Sequence, residues 1–237
     1  MSSPTIAYTA PFITFLLMTS AAGLLTVDDP GAAWYQRAPA HWLYPLQCVV
    51  VGGLLVAFRR HYVFSPWRGL GLAVLLGLVG IAAWIAPSTL YQPGQASWLE
   101  WLGLAPRTDG FHPDVFAPQS GAWWTTVSLR FVRLVVIVPI VEEVFWRGFL
   151  MRYVQAPDGD FTSVPFGQHT WQAFAIVTAA VVLVHNPEDY LGALVWGTLM
   201  YWLAVRTKSL GACVVMHAVG NFVLGLWVMR TGQWGFW

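Results

Sequence analysis

The apolar positions of this chain come in long blocks, not in the two-residue or 3.6-residue rhythm of a half-buried strand or a surface helix. Runs at about 7–26, 42–58 and 69–86 are continuous enough to cross a bilayer, for which roughly 17–25 predominantly apolar residues suffice. A wetter stretch at about 87–121 follows, with Pro87, Pro93, Pro106, Pro113 and Pro118 beside Glu100, Arg107, Asp109 and Asp114. Trp98 and Trp101, with Trp123 and Trp124 just beyond, suit a loop at headgroup level, where indoles anchor. Apolar character resumes at about 123–153, too long for one straight span and interrupted by Arg130, Arg133 and Pro139. It reads as one long kinked helix or as a short interfacial helix leading into a span at about 134–153. After a loop at about 155–170 come runs at about 171–186, 190–205 and 210–229. The pattern predicts an all-α, polytopic transmembrane helical bundle of seven spans, or eight if the 123–153 stretch divides.

Composition names the solvent. Of the 237 residues 57% are hydrophobic and only 10% are Asp, Glu, Lys or Arg, where a soluble domain carries about 25% charged residues. That excludes a cytosolic globular protein, and an aromatic content of 16% excludes disorder. A net charge of +1 gives no field that would recruit nucleic acid, so none is expected as a partner. Cys48 and Cys213 lie inside apolar runs and read as small packing residues. The first apolar run lacks a basic leader and reads as a retained helix. Arg59, Arg60 and Arg68, then Arg152, then Arg206 and Lys208 fall on one side of a seven-span chain, and the acidic loops on the other. By the positive-inside rule this predicts a cytoplasmic N-terminus. Residues 1–122 are expected to be N-terminal membrane helices and an interfacial loop, and 123–237 the core, within one integral membrane unit.

Where the scarce charges go points to chemistry. Nine of the 11 acidic residues lie in loops or at breaks in the apolar pattern; Glu142 and Glu143 sit together inside LVVIVPIVEEVFWRGFLM. An ionisable group at membrane depth costs at least about 2.5 kcal/mol. Arg147, four residues after Glu143, can neutralise it on the same helical face. Glu142, about 100° around the helix, has no partner in its own segment. His185 ends the run AIVTAAVVLVH, and His217 and Asn221 stand four apart within the last run, on one face. A carboxylate, two imidazoles and a carboxamide in apolar helices can bind a metal, relay protons or hydrolyse a bond. Each alone is also ordinary interhelical glue, and the 15 Trp are packing and interfacial anchors.

These residues resemble the EExxxR, FxxxH and HxxxN motifs of the CAAX-protease and bacteriocin-processing family of intramembrane endopeptidases. Glu142-Glu143 with Arg147, then His185, then His217 with Asn221 keep the motif order over about residues 123–229. Val181 stands where the second motif usually has Phe. WLYPLQCVVVGG, VPIVEEVFWRGFLMRY, LAVRTKSL and TGQWGFW further resemble bacterial CAAX-protease-related membrane proteins of exosortase systems.

The resemblance implies a multi-pass protein of the bacterial inner membrane that cleaves a peptide bond of a membrane-associated protein or peptide in a polar cavity. It implies that Glu142 and His185 hold and activate a water, that His217 and Asn221 donate to the oxyanion, and that Glu143 and Arg147 support them. No cofactor is expected; a zinc site of His185, His217 and a glutamate is the alternative, although the chain has no HExxH signature. A non-proteolytic immunity or scaffold protein and a small proton-coupled transporter are the other readings; Glu188 and Asp189 beside His185 would serve the transporter.

Overall fold

The computed structural model describes residues 3–108, 110–156 and 158–237; Asp109, assigned above to the wet loop, lies outside them. The chain is helical throughout its apolar runs. The seven main helices are α1 (Pro4–Leu24), α2 (Ala40–Ala57), α3 (Leu70–Thr89), α4 (Gly121–Tyr153), α5 (Trp171–Leu183), α6 (Tyr190–Thr207) and α7 (Leu210–Thr231). Side chains set several of the starts. Ser120, Thr170 and Ser209 accept from the backbone N–H groups of Trp123, Ala173 and Ala212, relieving orphan donors at the first turns of α4, α5 and α7.

By length and composition α1, α2, α3, α4 and α7 can each cross a membrane. The expected run at 171–186 yields a shorter helix. α5 has 13 residues and rises only about 20 Å, because the chain turns before His185 and Pro187.

The 123–153 stretch does not divide. α4 is one continuous helix of 33 residues, so the eight-span alternative falls. Its wide turns explain how it tolerates Pro139. Arg133–Ile137 and Val144–Leu150 are π-helical and flank a short α-helical piece, Val138–Glu143. A proline ring clashes with the carbonyl four residues back, and a widened turn there removes the clash.

Contacts between loops group the helix ends. Tyr8 donates to the His61 carbonyl, Gly211 N–H to Phe64, Arg68 to Thr207, and Lys208 to Gly167. The start of α1, the 58–69 loop, the 154–170 loop and the 207–210 turn therefore share one end of the bundle, and the helices alternate in direction. The basic loops gather at that end. The acidic turn at 187–189 and the 87–120 loop gather at the other, where Arg107 joins them.

Two apolar clusters hold the bundle. One joins α1, α2 and α4 through Phe12, Phe15, Val51, Val141 and Val144. The other joins α3, α5, α6 and α7 through Leu76, Ile81, Val177, Met200 and Met216. The first half of the chain is thus split between both clusters, α3 packing with the helices of the second half. Small residues permit the tightest crossing: a Cβ on Gly220 would lie 2.4 Å from the Trp196 ring, and one on Gly77 2.7 Å from the Met216 carbonyl.

Candidate active site

A cavity of about 270 Å³ opens where the two clusters meet. Glu142, Arg147, His185, His217 and Asn221 all line it. α4 supplies Glu142 from the α-helical piece between its two π turns, a placement where such turns often mark function. His185 comes from the chain just beyond the end of α5, and His217 and Asn221 come from one face of α7. Four residues from three separate runs thus reach one space.

Glu143, fully buried beside the cavity, holds two partners. Its Oε2 lies 3.3 Å from Arg147 Nη1 along the helix, and its Oε1 accepts from His217 Nδ1 at 2.8 Å across to α7. The pairing with Arg147 is the one expected from spacing; the bond to His217 is not visible in spacing. Because Glu143 is acceptor-only when ionised, Nδ1 of His217 carries a proton, and Nε2 is left for the cavity.

His185 is oriented the same way. Its Nδ1 donates to the Val181 carbonyl at 2.6 Å, and a carbonyl can only accept. The neutral ring therefore keeps its lone pair on Nε2. The position that departs from the family motif, Val181, still supplies this backbone oxygen, which explains why its side chain can change. Asn221 Nδ2 donates to the Leu134 carbonyl at 2.8 Å, and the amide has a second N–H to offer. Glu142, half-buried, has a free path to the cavity.

A zinc site needs three converging donors besides water. Among the described residues no three His, Cys, Asp or Glu side chains come close enough to hold one ion. With Glu143 committed to Arg147 and His217, the glutamate left for such a site is Glu142.

Sequence reasoning missed the walls of the site. Trp84 packs edge-on against His185 with ring centroids 5.3 Å apart, and Trp196 does the same to His217 at 5.5 Å. Gly235, Phe236 and Trp237 line the cavity at the acidic end of the bundle. Arg107 ties them in. Its guanidinium reaches Asp189 at 2.8 Å and lies 4.6 Å over the Phe236 ring, while its carbonyl accepts from Gly235 N–H at 2.8 Å. Burial pushes the Asp189 carboxyl above the ordinary range, and Arg107 pulls it back part of the way. Nothing in the loop sequence singles out Arg107, since its partners are distant in the chain.

Residues 123–223 match the family profile described as type II CAAX prenyl endopeptidase Rce1-like. No curated protein and no solved structure matches the chain. The matched segment runs from the first turn of α4 through most of α7, and contains every motif residue that lines the cavity or buttresses it. This segment therefore belongs to the CAAX-protease and bacteriocin-processing family of membrane endopeptidases.

Proposed function

We propose that this protein hydrolyses a peptide bond of a membrane-associated protein or peptide, using a water activated by Glu142 and His185. The observation that carries the reading is the shared cavity: Glu142, His185, His217 and Asn221 line one space within an otherwise apolar bundle. Glu142 takes one proton of the water as it attacks the carbonyl, while the Nε2 lone pair of His185 accepts a hydrogen bond from the second O–H, which stays with the new carboxylic acid. Charge then develops on the carbonyl oxygen. The free N–H of Asn221 and the Nε2 of His217 stabilise it. To donate there, Nε2 of His217 must carry a proton as Nδ1 does, and Glu143 fixes the orientation of the ring through Nδ1. Glu142 returns its proton to the leaving amine.

The carboxylates that a proton relay would recruit beside His185 are both engaged elsewhere: Asp189 and Glu188 lie 2.8 and 3.8 Å from the Arg107 guanidinium. That favours hydrolysis over transport. We further place the chain in a bacterial inner membrane with its N-terminus in the cytoplasm, on the grouping of basic loops at one end of the bundle. The cavity, lined by Asp189 and Trp237, then opens toward the opposite face.

The test is cleavage of membrane-anchored peptides by the purified full chain in proteoliposomes. Glu142→Gln, His185→Ala and His217→Ala should each lower kcat/KM by about 100-fold or more, with normal insertion and abundance. Retained cleavage in all three sinks the proposal. Chelation should leave wild-type activity intact; loss on chelation with recovery on added zinc would replace the water-activating carboxylate with a metal.

A further inference from the structure

The cavity contains a second polar feature that the hydrolytic reading does not use. Arg130 and Arg133, one turn apart on α4, are each only 6% exposed. Among the described residues, the carboxylates within 4 Å of an arginine belong to Arg107 and Arg147. Both guanidiniums instead face aromatic rings. Arg133 lies 4.1 Å over Tyr44 and 4.9 Å over Phe15; Arg130 lies 4.8 Å over Phe111 and 5.1 Å over Tyr44. Nε and Nη1 of Arg130 are buried with no hydrogen-bond partner. Two buried like charges around one ring repel, and neither has a carboxylate within 4 Å among the described residues, although the Glu142 charge acts on Arg133 across the cavity.

Arg133 is the member that lines the cavity, and it is held in place. Its Nε donates to Gln47 Oε1 at 2.6 Å and its Nη2 to Thr19 Oγ1 at 3.2 Å. Gln47, fully buried, is fixed in turn by donating to the Phe15 carbonyl at 2.7 Å and to Thr19 at 2.8 Å. Neutral acceptors orient the guanidinium without cancelling its charge. The site is thus built around a cation with no direct ion-pair partner among the described residues, on the wall of the same space that holds Glu142.

We propose that Arg133, with Arg130 behind it, binds a carboxylate of the peptide substrate and so sets which peptides are cleaved. This rests on the protease reading for the identity of the ligand. A carboxylate suits the planar fork of arginine, and a cavity near the small end of ligand pockets accommodates part of a peptide chain. The carboxylate comes from an Asp or Glu side chain or from a free chain end.

A library of membrane-anchored peptides, reconstituted in phosphatidylcholine vesicles and read by mass spectrometry, tests both sources. One arm compares free with amidated C-termini; the other compares Asp and Glu with Asn and Gln in amidated peptides. Retention is measured on the Glu142→Gln full chain and cleavage on wild type. Carboxylate peptides should be retained over their neutral counterparts by about tenfold or more, with the preferred arm naming the source. Adding Arg133→Gln should bring that ratio to near one, while Arg133→Lys keeps part of it. A ratio is insensitive to a lowered amount of folded protein. Equal retention of neutral and anionic peptides, or a preference that survives Arg133→Gln, overturns the inference. So does loss of the preference on adding phosphatidylglycerol, which would assign the site to a lipid headgroup. Retention with no cleavage by wild type would sink the protease reading and leave the anion site standing; cleavage without a carboxylate preference would do the reverse.

Discussion

Glu143 on α4 accepts a 2.8 Å hydrogen bond from His217 on α7, 74 residues later in the chain. The same carboxylate faces Arg147, and Glu143 is 0% and Arg147 1% exposed. The second glutamate of the pair is thus the hinge between the helical ion pair and the histidine that lines the cavity. Glu143→Ala strands a buried guanidinium and should cost about 3–5 kcal/mol, measured by thermal unfolding in detergent. Glu143→Ala with Arg147→Met should cost less than the two single changes added together. Strict additivity would show that the two side chains do not act as a pair.

Gly220 sits between His217 and Asn221 and lets the Trp196 ring come to where a Cβ would be 2.4 Å away. Gly220→Ala overpacks this contact and should lower stability by about 1–3 kcal/mol. The indole that rests on His217 must shift, so cleavage should fall by more than the loss of folded protein explains. Wild-type activity per folded molecule would show that the Trp196 wall is not needed.

Arg107 stabilises the ionised form of Asp189 against the effect of burial. A carboxyl raised above its unfolded value binds more protons in the native state, so it lowers stability as pH rises through the raised value and costs nothing once it is neutral. Arg107→Met removes the offset and raises Asp189 further. The variant's Tm deficit should therefore be largest near neutral pH and shrink as pH falls toward the ordinary carboxylate range. A deficit that does not change with pH would argue that Arg107 acts by packing on Phe236 alone.

The grouping of loops predicts which reagents reach the cavity. With Cys48 and Cys213 replaced by Ser, a cysteine at Gln233 should react with a membrane-impermeant maleimide added outside intact cells. One at Arg60 should react only after the cells are opened. The reverse pattern would invert the orientation.

Much of this arrangement was legible along the chain. The helices start and stop within a few residues of the apolar runs because in lipid every backbone group must be satisfied inside its own helix, so continuity of apolar character is continuity of structure. Glu142, Glu143, His185, His217 and Asn221 stood out for a related reason: a polar group at membrane depth is costly and therefore rare. Arg130 and Arg133 were seen only as interruptions of a run, since their surroundings, Tyr44 and Gln47, lie on another helix. Arg107 was hidden among ordinary loop residues for the same reason.

The sequence alone determined the solvent, the helical class and the small set of groups able to do chemistry, because burial in lipid penalises each residue one at a time. Which of those groups meet was a matter for the tertiary structure. Spacing could pair Glu143 with Arg147 on one helix, but only the crossing of α4 with α7 joins Glu143 to His217. Only the junction of the two apolar clusters leaves a space that Glu142, His185 and Arg133 share. Distances between helices depend on the shapes of side chains that are far apart in sequence, and no local pattern contains them.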